Sequence, residues 1–219
     1  MNNRVGCDET GVGDYLTPIV ACALFIPEEN LNFIKSLNIK DSKKLSDEYI
    51  ISIADKLKNN CIYKISYLSQ QNYNKLNKYL NAHELKMLLH LQNINYLEKH
   101  NIINEIVLDQ FSNIKSISKY ITKLVNSSLQ VFNIKAPLIL ETHAEDKYLE
   151  VACASILARD YLLTKMKEQQ ELWNFNFPLG AKSDVKLAAK EFIKIYGLEN
   201  LEKVAKIHFK TTKEIKNEF

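Results

Sequence analysis

Five short stretches rich in apolar and β-branched residues constrain the fold of this chain more than any other feature of its sequence. Such stretches predict β-strands, because branched side chains favour an extended backbone. The predicted strands cover residues 4–8, 17–26, 61–68, 105–109 and 137–141. Apolar residues at helical spacing predict helices over residues 47–58, 70–79, 82–99, about 116–130, about 147–172 and 183–196, with further helix at the C-terminal end. This order predicts an α/β fold, in which helices flank a five-stranded mixed sheet and additional helices follow it.

The length and composition are those of an ordinary globular domain. The chain has 219 residues, of which 46% are hydrophobic and 25% are charged, and no shift in composition marks a boundary within it. We therefore predict a single domain over residues 1–219, with a C-terminal helical part over about 160–219. No apolar run approaches the roughly 20 residues that a membrane span needs, so we expect no membrane association.

Charge and cysteine content bear on location and partners. Residues 1–6 lead directly into a strand-like stretch, so we expect no signal peptide. The four cysteines are widely spaced and form no C-x-x-C pair. This pattern is typical of reduced packing cysteines, so we expect a cytoplasmic protein. The formal net charge of +3 is compatible with a nucleic-acid partner but does not require one.

Carboxylates stand at or shortly after the ends of three predicted strands. Asp8 ends the first strand and Glu9 follows it, Asp109 ends the fourth, and Glu145 comes soon after the fifth. Like charges this close oppose each other's ionisation unless a cation compensates them. Carboxylate oxygens suit Mg²⁺ or Mn²⁺, whereas zinc prefers His and Cys. Because neighbouring strands lie about 4.8 Å apart, the pattern predicts a metal-dependent phosphoryl-transfer site, with room for two ions about 4 Å apart.

The turn after the first carboxylates has other interpretations. Asp8, Glu9 and the glycines that follow can form a solvated turn without function. The Gly11-Val12-Gly13 stretch is not a G-x-G-x-x-G motif and no long helix follows it, so we expect no dinucleotide site.

Six blocks, in order along the chain, resemble ribonuclease HIII, a branch of the type 2 ribonucleases H. The blocks are GCDETGVGDYLTPIV, DSKKLSD, VLDQF, ETHAEDKYLEVACASILAR, FPLGAKSDV and KIHFKTT. The resemblance implies an RNase H-like fold with the first three strands antiparallel and the first and fourth adjacent. It also implies endonucleolytic hydrolysis of the RNA strand of RNA–DNA hybrids, with 5′-phosphate products and Mg²⁺ or Mn²⁺ as cofactor. Neither the resemblance nor the composition indicates an obligate protein partner.

The resemblance also assigns the carboxylates. Asp8, Glu9 and Asp109 match the metal-binding residues of the family, and Glu145 matches its fourth acidic residue. Asp146, next to Glu145, is the alternative match at this position. We expect Asp8 to bridge two metal ions and the other three to share the remaining coordination.

Other residues are candidates for contact with the substrate. In the family, the turn that matches Gly11, Val12 and Gly13 reads the ribose 2′-OH, which distinguishes RNA from DNA. Tyr15, beside this turn, can abut the sugar or simply pack. Lys43 can face the carboxylates or a phosphate, or can belong to a solvated turn. Lys206, Lys210 and Lys213 recur at helical spacing, so they can follow a phosphate backbone or form a solvated face.

The sequence departs from the family pattern in two places, and we state what we expect from each. Thr17 replaces a glycine that usually precedes the proline, a change that we expect the second strand to absorb. Ribonucleases HIII usually carry an N-terminal substrate-binding domain, whereas only seven residues precede Asp8 here. We therefore expect either a naturally short form or an incomplete chain, with weaker hybrid binding and an intact catalytic centre.

Two alternative functions remain. The first is cleavage at single ribonucleotides embedded in DNA, as in ribonucleases HII, although Val12 stands where those enzymes carry Arg. The second is a nucleic-acid-binding protein without catalysis. The complete set of carboxylates argues against it, because a site without a function has no reason to keep their mutual repulsion.

Overall fold

A computed structural model describes residues 3–39 and 46–218, and a five-stranded sheet lies at its centre. The strands are β1 (Arg4–Thr10), β2 (Ile19–Phe25), β3 (Ile62–Leu68), β4 (Glu105–Asp109) and β5 (Leu138–Glu141). They are arranged in the order β3-β2-β1-β4-β5. The pairs β1–β2 and β2–β3 are antiparallel, and β1–β4 and β4–β5 are parallel. The predicted mixed sheet is confirmed, as is the adjacency of the first and fourth strands.

The helices follow the predicted order with two differences. They are α1 (Leu31–Ser36), α2 (Asp47–Asn60), α3 (Gln70–Leu76), α4 (Ala82–His100), α5 (Ile114–Val125), α6 (Leu149–Trp173), α7 (Ser183–Tyr196), α8 (Leu201–Val204) and α9 (Lys210–Lys216). The short helix α1 was not predicted. Helix α5 ends before residue 130, because the Ser127 hydroxyl donates to the Leu124 carbonyl and competes with the helical hydrogen bond. Within the described ranges, no helix is long and apolar enough to cross a membrane.

Each face of the sheet has its own layer of helices. Successive residues of a strand point to opposite faces, so Cys7 of β1 packs in a core with α4 and α5. Cys22 of β2 packs on the other face with α2 and α6. Gly6 also faces α6, where an added Cβ would lie 2.3 Å from backbone atoms at the start of the helix. The helix α6 therefore passes very close to β1.

Helix α4 begins with a capping box, and this gives a first prediction. The Asn81 side chain accepts from the Glu84 backbone N–H at 3.0 Å, and the Glu84 carboxylate accepts from the Asn81 N–H at 2.9 Å. We expect Asn81→Ala to lower the free energy of unfolding by about 1 kcal/mol, because the first turn loses an acceptor. Asn81→Ser keeps an acceptor and should lose much less. Urea unfolding followed by circular dichroism measures both, and equal losses would contradict this role of the cap.

Candidate active site

The carboxyl ends of β1 and β4 meet at one edge of the sheet. The two strands are parallel and Cys7 stands beside Leu108. The next residue on each strand is an aspartate, so Asp8 and Asp109 come side by side. Their carboxylates are close enough that the charge on Asp109 opposes ionisation of Asp8. The structure thus brings together two carboxylates that are far apart in the sequence.

Asp8 lies on the α6 face of the sheet and is buried, with 7% of its surface exposed. Its carboxylate accepts from the Glu9 backbone N–H at 2.7 Å and is hydrogen-bonded to the Ser155 side chain on α6. Burial raises the pKa of Asp8 well above its usual range, and the charges on Glu9 and Asp109 raise it further. Two hydrogen bonds only partly offset this effect, so the ionised carboxylate needs a cation.

Glu9 leaves β1 on the opposite face, where it meets α4. Its carboxylate lies 2.5 Å from the Lys86 ammonium and 2.9 Å from His90 Nε2. Burial opposes the charge of Glu9, but the hydrogen bond and charge of His90, together with those of Lys86, outweigh it and hold the pKa of Glu9 below its usual range. Glu9 is therefore a largely buried, ionised carboxylate with two partners, and 10% of its side chain is exposed.

Lys86 and His90 are residues of this site that the sequence analysis missed. They are four residues apart, so they lie on the same face of α4, and both are buried. The Lys86 ammonium also lies 4.3 Å from the centre of the Phe111 ring. Their only sequence signal is a lysine and a histidine inside the otherwise apolar run MLLHL and its flank. Nothing in that run shows which carboxylate the two residues meet.

Asp109 and Glu145 are linked through the turn that follows β5. A 3-10 turn covers Ala144–Asp146, and the Ala144 backbone N–H donates to Asp109 Oδ1 at 3.0 Å. This bond holds the turn beside the end of β4. Glu145 is half-buried there, whereas Asp146 is exposed, which favours Glu145 over Asp146 as the fourth acidic residue of the site. The role of Glu145 stays a prediction.

The chemistry of these carboxylates fits a hard divalent cation, although they do not form one ligand set. Among residues 3–39 and 46–218, no group of three or more His, Cys, Asp or Glu side chains is arranged to hold an ion. Asp8 and Glu9 lie on opposite faces of β1, and Glu9 is held by Lys86 and His90 of α4. Asp8 and Asp109 are the pair that fits, because a cation would relieve their mutual repulsion in a buried place. Metal binding by Glu9 stays a prediction.

The two glycines of the turn after β1 differ in whether their positions have room for a side chain. Gly11 has φ of 80°, and an added Cβ would lie 2.1 Å from the Pro18 carbonyl oxygen. Only glycine fits that position. Gly13 is exposed and an added Cβ would meet nothing within 4 Å. Val12, between them, is half-buried against the core on the α4 face. The space beside Gly13 is open to an approaching molecule.

Two of the residues considered for contact with the substrate are buried near this turn. Tyr15 is fully buried and its hydroxyl bonds Thr212 at 2.8 Å, so it packs and does not face a substrate sugar. Lys206 is also fully buried. It was predicted on a helical stripe with Lys210, but α8 ends at Val204 and α9 begins at Lys210, so the assumed helix is interrupted. Lys206 therefore does not lie on a phosphate-binding surface.

The other residues singled out in the sequence are Lys210, Lys43 and Thr17. Lys210 is exposed at the start of α9, where contact with a phosphate stays a prediction. Lys43 lies outside the described residues. Thr17 is buried, and its hydroxyl donates to the Gly11 carbonyl at 3.3 Å. The second strand begins only at Ile19, so Thr17 belongs to the turn and not to the strand.

Comparisons with known proteins agree on one family. The model of the family described as Ribonuclease HII matches residues 5–212. Ribonuclease HIII of Streptococcus mutans serotype c (strain ATCC 700610 / UA159) is 38% identical over 214 residues, which is 96% of this chain and 69% of that protein. Ribonuclease HIII of Lactococcus lactis subsp. lactis (strain IL1403) is 36% identical over 98% of this chain and 72% of its own. The crystal structure of Bst-RNase HIII in complex with Mn²⁺ is similar with a TM-score of 0.89 and 29% identity, over 98% of this chain and 69% of that one.

Proposed function

This chain belongs to the ribonuclease HII and HIII family of endoribonucleases H, and we propose that it cleaves the RNA strand of RNA–DNA hybrids by two-metal-dependent hydrolysis that leaves 5′-phosphate ends. The two-metal mechanism and the roles of individual residues are part of this proposal. So is the assignment of residues 1–219 to one catalytic domain.

The observation that carries the proposal is the pairing of Asp8 with Asp109. The two carboxylates come side by side at the ends of parallel strands, and Asp8 is buried on the α6 face. This arrangement is unfavourable for folding, because burial and like charge both oppose ionisation. It is favourable for binding a divalent cation such as Mg²⁺ or Mn²⁺. The similar structure of Bst-RNase HIII is a complex with Mn²⁺.

The residues of the chain have distinct parts in the proposed mechanism. Asp8 and Asp109 would hold the metal, together with Glu145. Glu9 would join them only if the cation competes with Lys86 and His90 for its carboxylate. When bound, Mg²⁺ or Mn²⁺ supplies the activation of the attacking water and the charge that stabilises the leaving 3′ oxygen. Ser155 orients Asp8 through its hydrogen bond. Without cations the carboxylates repel the phosphates of the substrate, which explains why the proposed activity depends on metal.

The glycine turn supplies the proposed recognition of RNA. The open space beside Gly13 lets the backbone approach a ribose, since no Cβ stands in the way. Backbone N–H groups of the turn can then contact the 2′-OH, which DNA lacks. Lys210, exposed on α9, and Lys43 are proposed to contact phosphates.

A substrate comparison tests the proposal. The protein is incubated with Mg²⁺ or Mn²⁺ and with three labelled duplexes: a uniform RNA–DNA hybrid, DNA with a single ribonucleotide, and double-stranded RNA. We expect cleavage of the uniform hybrid, at a rate at least about tenfold above the other two, and none after chelation of the metal. Gel mobility against markers with defined ends identifies the 5′-phosphate products.

The same comparison separates the alternatives. Asp109→Asn, purified in the same way, controls for a contaminating nuclease and should not cleave. A preference for the single-ribonucleotide duplex would favour activity of the HII type. Binding of the hybrid without cleavage under either metal would favour a non-catalytic binding protein and would refute the proposed activity.

A further inference from the structure

Lys206 is a fully buried lysine that contacts the glycine turn from the far end of the sequence. It lies between α8 and α9, and its side chain has no exposed surface. The ammonium donates to the carbonyl oxygen of Gly11 and, at 3.0 Å, to that of Thr17. The Lys206 backbone N–H also donates to the Tyr15 carbonyl at 3.0 Å. One residue thus holds three carbonyls of the segment that follows the proposed catalytic carboxylates.

The burial of this lysine is costly and packing alone does not account for it. An amine removed from water loses its hydration, and an apolar side chain of similar length would fill the same space without that loss. Burial lowers the pKa of Lys206 to about 7, against the opposing charge of Asp14. Charged or neutral, the amine retains at least two N–H groups for the two carbonyls. The contact with the turn therefore does not depend on its charge.

The hydrogen bond from Lys206 to the Gly11 carbonyl bears on the orientation of the peptide that joins Gly11 to Val12. The described peptide bonds are all trans, so the C=O and the N–H of a peptide point in opposite directions. The Gly11 carbonyl accepts from the Lys206 ammonium, from the Thr17 hydroxyl and, in a long bond of 3.4 Å, from the Asp14 backbone N–H, so it points towards the buried lysine. The Val12 N–H consequently points the other way, away from the buried lysine. Next to it is Gly13, which is exposed and has open space around it.

We propose that Lys206 is a positioning residue, which holds the Gly11–Val12 peptide so that the Val12 N–H faces the ribose at the cleavage site. The proposal rests on the proposed function, because it assigns the group that reads the 2′-OH. Lys206 does not touch the substrate. It acts through the backbone of the turn, and the Thr17 hydroxyl supports the same carbonyl from a second side.

The test is a comparison of two hybrids that differ in one 2′-OH. In the first, every sugar of the labelled strand is ribose. In the second, one ribose carries 2′-fluoro in place of 2′-OH, and in both hybrids cleavage is measured on a gel at the phosphodiester bond of that one position. Single-turnover cleavage rates give the preference of each protein for the 2′-OH. We expect Lys206→Met to lower this preference about tenfold, the effect of one lost hydrogen bond, by slowing cleavage of the first hybrid and hardly that of the second.

The controls separate positioning from a structural role. Lys203→Met makes the same chemical change at a nearby exposed lysine and should leave both rates unchanged. Thr17→Val removes the weaker donor and keeps the shape, so it should lower the preference a few-fold; it decides the question if Lys206→Met does not fold. Rates that fall equally on both hybrids would overturn the proposal. If the wild type cleaves neither hybrid, the proposed function itself fails, which is a different result.

Discussion

Asp8→Asn should reduce hybrid cleavage by at least about a thousandfold while the metal-free protein becomes no less stable. Loss of one metal-binding carboxylate removes several kcal/mol of transition-state stabilisation, and each 1.4 kcal/mol is tenfold in rate. The asparagine oxygen can still accept from the Glu9 N–H, and the substitution removes a charge that burial, Glu9 and Asp109 all disfavour. Cleavage rates at saturating Mg²⁺ and thermal unfolding in chelator measure the two effects.

Asp160 provides the matched control for this prediction. It is an aspartate of α6 with a similar exposure of 6%, and it is paired with Lys58 at 2.8 Å. Asp160→Asn should therefore have the opposite pattern: stability falls because Lys58 loses its shorter ion pair and keeps only Asp55 at 3.3 Å, and cleavage is retained. If Asp8→Asn lowers the melting temperature as much as Asp160→Asn, the buried charge of Asp8 is not the strained group that we infer. If it still cleaves, Asp8 is not part of the catalytic site.

Gly11→Ala and Gly13→Ala should fail in different ways. At Gly11 an added Cβ would overlap the Pro18 carbonyl oxygen at 2.1 Å, and the backbone has φ of 80°. The left-handed conformation and the overlap together should lower the free energy of unfolding by roughly 3 kcal/mol or more. At Gly13 the space is open, so Gly13→Ala should change stability by less than about 0.5 kcal/mol. Urea unfolding of the two variants measures this difference.

The effect of Gly13→Ala on cleavage tests the proposed contact with the ribose. A methyl group on the open side of the turn would stand between the backbone and the sugar. We expect cleavage of the uniform hybrid to fall at least about tenfold, the effect of losing a hydrogen bond or more, in a protein that folds normally. Full activity of Gly13→Ala would show that the turn does not approach the substrate on this side.

Normal stability of Gly11→Ala would contradict the close contact with Pro18.

The strands and most helices were predictable because their signals are local. An apolar, β-branched stretch such as residues 105–109 is read without knowledge of any other part of the chain, and it matches β4. Periodicity similarly predicted α4 and α6. Failures occurred where the local signal was weak. The apparent stripe of Lys206 and Lys210 assumed one helix, but the chain leaves α8 at Val204 and buries the first of the two lysines.

The partners of the carboxylates were not predictable, because they come from elements that the sequence does not pair. Lys86 and His90 are more than 70 residues from Glu9 in the chain, and they meet it because α4 covers that face of the sheet. Lys206 is 195 residues from Gly11. Neither contact follows from periodicity or composition, since both depend on how the helices pack on the sheet.

The amino-acid sequence by itself determined the mixed α/β fold, the carboxylates at the strand ends and the glycine turn between β1 and β2. Strand preference and turn chemistry depend on neighbouring residues, so they are visible in a single stretch of chain. Only the tertiary structure decided which residues each of those carboxylates contacts. Because alternate residues of a strand face opposite sides, Asp8 joins Asp109 under α6 while Glu9 turns to Lys86 and His90 on α4. The packing of the C-terminal segment placed Lys206 in the interior and made it a support of the glycine turn.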